Sequence, residues 1–107
     1  LVIRSGAIVP IHWRFEVANG FRMALRRSRI DSVYRDESLA DLDQLPIETD
    51  HESHALVCTN TVRLSDRHNL TIYDAAYLEL ALLRQLPLAT LNRELVAAGT
   101  RENLSVF

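Results

Sequence analysis

The chain has 107 residues, of which 48% are hydrophobic, so it is long enough for one folded domain and too apolar for a disordered tail. Its 12 basic and 14 acidic residues give a net charge of −2, which argues against a protein that binds nucleic acid through phosphate contacts alone. The single cysteine, Cys58, excludes an internal disulfide, and no apolar run reaches the roughly 18 residues of a membrane span. We therefore expect a cytoplasmic protein that contacts no membrane.

The order of apolar runs and helical patterns predicts alternating strands and helices. The first half of the chain is expected to hold a strand at residues 6–10, helices at about 11–28 and 32–44, and a short edge strand at 45–48. The second half is expected to hold helices at about 49–68, 75–86 and 93–98, and strands at 88–91 and 104–107. This alternation is typical of an α/β fold whose parallel strands are joined by crossover helices.

Polar residues at the expected helix ends support this assignment. Asp31 and Asn92 stand where N-caps are expected, and Gly99 stands where the last helix is expected to end. Capping-box patterns at residues 49–52 and 71–74 predict the beginnings of two further helices.

Glu16 is the first candidate for chemistry. It lies inside the first predicted helix, whose apolar face includes Phe15, and it shares a face with His12 and Asn19 at helical spacing. This arrangement suits a polar site beside apolar walls. An ordinary surface glutamate explains the same pattern equally well.

Asp74 and Asn92 are the other candidates. Apart from Glu79, Asp74 is the only charged residue between positions 71 and 83, and it also completes the capping-box pattern with Thr71. Asn92 follows the predicted strand at 88–91, and ligands bind at the carboxyl ends of strands in open parallel sheets. For both residues a capping role is the simpler interpretation, and for Asp74 the two roles are compatible.

Basic and aromatic residues offer possible contacts to RNA. Arg22, Arg26 and Arg93 are candidates for the phosphate backbone, although a run of arginines at a helix end is more often simply solvated. Tyr73 and Tyr77 are one helical turn apart and are expected in the core or along a groove, with base stacking as the weaker alternative.

Three segments, taken together, resemble the VapC-type PIN-domain ribonucleases of toxin–antitoxin systems. Residues 9–19, 70–81 and 86–95 are similar, in order and spacing, to the segments that carry the second, third and fourth acidic residues of that family. The most distinctive of them contains Tyr73-Asp74-Ala75-Ala76-Tyr77. The resemblance covers the whole chain, so residues 1–107 are expected to form a single PIN-like domain.

The resemblance implies a three-layer α/β/α sandwich with a parallel sheet, and an acidic pocket that binds Mg²⁺ or Mn²⁺. It also implies an endoribonuclease toxin that cleaves RNA, is held inactive by a cognate antitoxin protein, and forms a homodimer. By position, Glu16, Asp74 and Asn92 correspond to catalytic residues, and Glu16 and Asp74 to metal ligands.

Two departures from the family bear on activity. Nothing corresponds to the first strand and its catalytic aspartate, since residues 1–5 resemble the end of the helix that follows that strand, and Asn92 stands where the family has an aspartate. The domain is thus expected to be incomplete at its N-terminus. The loss of negative charge leaves a second reading open, in which the chain is a catalytically degenerate PIN-like module that acts as a protein-binding partner. The retained Glu16 and Asp74 favour the enzyme.

Overall fold

The computed structural model describes residues 6–107, and the expectation for residues 1–5 lies outside them. The described chain is α/β. Its regular elements are β1 (Ala7–Pro10), α1 (Trp13–Arg26), α2 (Ser32–Asp43), β2 (Ile47–Asp50), α3 (Val62–His68), α4 (Ile72–Arg84) and α5 (Arg93–Arg101). A 3₁₀ turn at Ser53–Leu56 and a π-helical turn at Val57–Thr61 join β2 to α3.

Three helices begin at the N-caps that the sequence predicts. The side chain of Asp31 accepts a hydrogen bond from the backbone N–H of Tyr34 at 2.8 Å, which caps α2. The Thr71 hydroxyl accepts the N–H of Asp74 at 3.1 Å, and the Asn92 carbonyl oxygen accepts the N–H of Leu95 at 3.0 Å. Each bond satisfies a backbone donor that the first helical turn leaves without a partner.

The predicted helix at residues 49–68 is wrong in its first half. Thr49 and Asp50 belong to β2 rather than to a helix end. The buried Asp50 carboxylate accepts the N–H of Ser53 at 2.7 Å, so this residue initiates the 3₁₀ turn. Regular α-helix is restored only in α3. The edge strand expected at 45–48 lies two residues later, and Pro46 directly precedes it.

The helix α5 continues past Gly99, where the sequence predicts its end. Gly99 is buried, and a Cβ atom at this position would lie 3.0 Å from both the Leu88 and the Val106 side chains. The glycine therefore permits close packing of α5 against neighbouring segments, and it does not end the helix.

The parallel pairing of strands is present but fragmentary. β1 and β2 are parallel, with Ala7 opposite Ile47, whereas the strands predicted at 88–91 and 104–107 are reduced to one parallel bridge between Leu88 and Val106. Within residues 6–107, β1 pairs with β2 and forms no strand pairing with the segment around Leu88. Between the two strand pairs lies an apolar groove of about 530 Å³. We call it the sheet groove. Its lining includes Ile8, Leu80, Ala81, Leu88, Ala89 and Phe107.

The core is centred on α4, as its predominantly apolar sequence predicts. Ala75 and Leu78 are fully buried and pack against Leu64 of α3 and Leu95 of α5. By contrast, α1 contributes no buried residue, and Phe15, expected on its apolar face, is 79% exposed. None of the helices in the described part of the chain combines the length and apolar character needed to cross a membrane.

Candidate active site

Asp74 and Asn92 meet although they are 18 residues apart in sequence. Asp74 lies in the first turn of α4, and Asn92 is the N-cap of α5. The side-chain N–H of Asn92 donates to Asp74 Oδ2 at 3.5 Å, a long hydrogen bond. Asp74 does not complete the capping box with its carboxylate, so the carboxylate is available for this contact.

Glu16 joins the same region through Tyr77. The Tyr77 hydroxyl, one turn after Asp74 on α4, donates a short hydrogen bond to Glu16 Oε1. Burial raises the pKa of Tyr77 well above its usual value, and the hydrogen bond to Glu16 and the negative charges of Glu16 and Asp74 raise it further. The phenol therefore stays protonated and serves as a donor to the glutamate at every ordinary pH.

His12 forms one wall of the acidic group. Its Nε2 lies 3.1 Å from the Tyr73 carbonyl oxygen and 3.8 Å from Glu16 Oε1. Its ring also packs edge-on against Tyr77, with ring centroids 5.2 Å apart. The histidine thereby fixes the N-terminal end of α1 against the first turn of α4.

Two carboxylate oxygens of this group have no hydrogen-bond partner within residues 6–107. They are Oε2 of Glu16 and Oδ1 of Asp74, the second oxygens of the two carboxylates already described. Carboxylate oxygens are the ligands that Mg²⁺ prefers, usually one or two carboxylates with the remaining positions held by water and phosphate. In chemical type, these two oxygens match the ligands that Mg²⁺ prefers. In the described residues no three His, Cys, Asp or Glu side chains come together as a ready ligand cluster.

Asn92 fits a metal less well than its position suggests. Its carbonyl oxygen, which is the atom that a cation would use, already accepts the Leu95 N–H. Its amide nitrogen instead faces Asp74. In this arrangement Asn92 acts as a donor to the acidic site and not as a ligand in it.

The arginines proposed for RNA contacts are all exposed and form no ion pair with another described residue. Arg93 directly follows Asn92 at the start of α5. Arg22 and Arg26 lie on α1, displaced from Glu16 by about 9 Å and 15 Å along the helix axis. Arg93 is thus next to Asn92 in the chain, while the other two lie further along α1 from Glu16.

The direct role of Tyr77 is the feature that sequence reasoning missed. The sequence predicts Tyr77 in the core or along a groove, and its side chain is half-buried. Its partner Glu16 lies 61 positions away, so no local pattern links them. The available signal was the spacing to Asp74, since residues three apart share a helix face.

Comparison with known proteins gave no match, either to a protein-family model or to a curated protein.

Proposed function

We propose that the chain is a metal-dependent endoribonuclease of the VapC-type PIN class, with Glu16 and Asp74 as metal ligands. The observation that carries the proposal is the meeting of Asp74 with Asn92, and of Glu16 with the next turn of α4 through Tyr77. The segments that resemble the family thus lie around one acidic group. In this proposal the Mg²⁺ or Mn²⁺ ion would be held by Oε2 of Glu16 and Oδ1 of Asp74.

The chain's own residues would orient the acids and the RNA. Tyr77 restricts the rotation of Glu16 by its hydrogen bond, and the N-terminus of α4 provides a positive dipole end beside Asp74. Arg93 offers a charge for a phosphate next to the acids, with Arg22 and Arg26 further along the strand of RNA. A bound divalent ion would supply water activation and would offset the charge that develops on the scissile phosphate.

The proposal extends to the fold and to the partners. The two parallel strand pairs would belong to one sheet of a PIN-like three-layer sandwich, with α4 packed against it. The protein would act in the cytoplasm, where Cys58 stays reduced, and would be held inactive by an antitoxin protein. A homodimer is part of the same proposal. The exposed side chains Phe15 and Leu91 offer apolar surface for such partners.

The test combines metal binding with RNA cleavage. The purified chain is melted with and without Mn²⁺ and incubated with a labelled RNA in Mn²⁺ or in EDTA. We expect Mn²⁺ to raise the melting temperature and to support cleavage, and Glu16→Gln and Asp74→Asn to abolish both effects. The matched control is Glu37→Gln, an exposed glutamate on α2 that should leave both unchanged. Cleavage that persists in EDTA or in Asp74→Asn would contradict the proposal.

One observation favours the second candidate, a degenerate module that binds protein. The Asn92 amide already satisfies one oxygen of Asp74, which reduces the need for a cation. If Mn²⁺ neither raises the melting temperature nor supports cleavage, this reading becomes the better one.

A further inference from the structure

A second cavity lies beside the acidic group. It has a volume of about 200 Å³ and lies between the end of β1, the turns at residues 53–61 and the first turns of α4. Its walls are mainly apolar, formed by Pro10, Ile11, Val57, Ile72 and Ala76. An apolar cavity of about 150 Å³ is enough to hold benzene, so this one has room for a larger planar ring.

Glu79 is the charged residue that lines this cavity. It is only 5% exposed, and it is one of the few buried charged side chains in the described core. Burial raises the pKa of its carboxyl, and a hydrogen bond from Asn60 opposes that effect. Glu79 plays no part in the acidic group, which leaves its position in an apolar wall without a role in the proposed reaction. A carboxylate accepts about four hydrogen bonds, so one bond from Asn60 leaves capacity for a ligand.

We propose that this cavity, which we call the Glu79 cavity, binds a guanine base of RNA. The Watson–Crick edge of guanine carries two adjacent donors, N1–H and the N2 amino group, and the two oxygens of one carboxylate can accept both. Adenine and cytosine offer an amino donor next to a ring acceptor, which would face the second oxygen unfavourably. Uracil has one donor between two carbonyl acceptors. Recognition of an unstacked base by its Watson–Crick edge is the usual way in which proteins read single-stranded RNA.

The position of the cavity connects it to the acidic group. His12 and Tyr73 line the cavity, His12 also lies 3.8 Å from Glu16, and Tyr73 directly precedes Asp74. Tyr73 is 64% exposed, so its ring is accessible for stacking on a base that enters. A guanine in the cavity would thus place its sugar and phosphate near Glu16 and Asp74. The inference rests on the proposed ribonuclease function for its biological meaning.

The experiment measures nucleoside binding in EDTA, so its outcome is independent of metal binding and cleavage. Guanosine, inosine, adenosine and cytidine are titrated into the ¹⁵N-labelled chain, and the amide signals of Ile72 and Ala76 are followed by NMR. We expect guanosine to bind at least about tenfold more tightly than inosine, which lacks the N2 amino group and thus one bond to a charged acceptor. Adenosine and cytidine should bind more weakly still.

The variant Glu79→Gln provides the second arm. It keeps the side-chain volume and should fold, but it replaces one acceptor oxygen by an N–H₂ donor that opposes the guanine edge. We expect at least a tenfold loss of guanosine binding, with Glu37→Gln as the unchanged control. If guanosine causes no shifts at these amides, or binds no better than adenosine, the inference is overturned. The comparison of guanosine with inosine on the unaltered chain decides the matter even if Glu79→Gln does not fold.

Discussion

The side-chain N–H of Asn92 donates to Asp74 Oδ2 at 3.5 Å, while the carbonyl oxygen of the same amide caps α5. One side chain therefore serves both the fold and the acidic site. This dual role is possible because the beginning of α5 lies against the beginning of α4.

Tyr77→Phe should uncouple Glu16 from α4. The change removes only the hydroxyl that donates to Glu16, so we expect the free energy of unfolding to fall by about 0.5–1.5 kcal/mol. If the acids bind a metal, the variant should also need a higher Mn²⁺ concentration for the same rise in melting temperature, because Glu16 is less restricted. Tyr73→Phe is the matched control, since the hydrogen bond at Tyr73 uses its backbone carbonyl, which the change keeps. If both variants need the same Mn²⁺ concentration for the same rise in melting temperature, Tyr77 has no part in metal binding.

Removing the charge of an arginine that contacts RNA should make RNA binding less dependent on salt concentration. Each arginine that contacts a phosphate contributes about 0.7 to the slope of log K against log salt concentration for a single strand. We expect Arg93→Gln to reduce this slope by about 0.7, measured by fluorescence anisotropy with an RNA oligonucleotide. Arg63→Gln, an exposed arginine on α3, is the control. An unchanged slope for Arg93→Gln would exclude the proposed phosphate contact.

Glu102 should make the fold sensitive to acid. Hydrogen bonds from His68 at 2.7 Å and from Arg67 at 2.8 Å lower the pKa of its carboxyl. A carboxyl whose pKa is lowered by folding contributes stability above its unfolded pKa, about 4.3 for glutamate, and loses it as the pH falls through the folded value. We expect Glu102→Gln to cost about 1.5–3 kcal/mol at pH 7 and progressively less below pH 4.

Urea unfolding from pH 3 to pH 7 measures this effect. Glu37→Gln, an exposed residue on α2, is the control and should differ little from the unaltered chain. A difference between Glu102→Gln and the unaltered chain that stays constant down to pH 3 would show that the carboxylate is not responsible.

The sheet groove should support self-association. Ala7 N–H donates to Pro46 and Leu88 N–H to Ser105, so strand alternation turns the backbone groups of Ile8 and Ala89 towards the groove. Unpaired strand edges of this kind invite pairing with another chain, and we expect a second copy to provide it.

Sedimentation velocity at increasing concentration tests this expectation, and a dimer should appear. Ala89→Pro removes one backbone donor and should weaken the dimer, whereas Ala89→Val keeps the donor and should not. If the chain stays monomeric at all concentrations and melts cooperatively, the expected self-association is wrong.

Local features of the fold were predictable from the sequence, whereas distant pairings were not. The caps at Asp31, Thr71 and Asn92 are each determined by a bond to a residue three positions ahead, so local pattern suffices. The turns at residues 53–61 were missed because the buried Asp50 is held there by Arg84, 34 positions away. Sequence placed the candidate acids, but their contacts with Tyr77 and Asn92 depend on how α1 and α5 pack on α4.

Asn92→Asp tests most directly whether the acidic group of Glu16 and Asp74 is a metal site. Aspartate caps helices as well as asparagine does, so α5 should begin at the same place. The change replaces the donor that faces Asp74 by a carboxylate oxygen, which repels Asp74 without metal and becomes a third ligand with it. The measurement is the melting temperature of both forms with and without Mg²⁺.

We expect Asn92→Asp to melt below the unaltered chain in EDTA and to be stabilised more by Mg²⁺ than the unaltered chain is. The total stabilisation of Asn92→Asp should be about 2.7 kcal/mol once the ion is at 100 times its dissociation constant. If Asn92→Asp melts at the same temperature with and without Mg²⁺, Glu16 and Asp74 do not form a metal site. Three carboxylates at such a site would be expected to bind the ion.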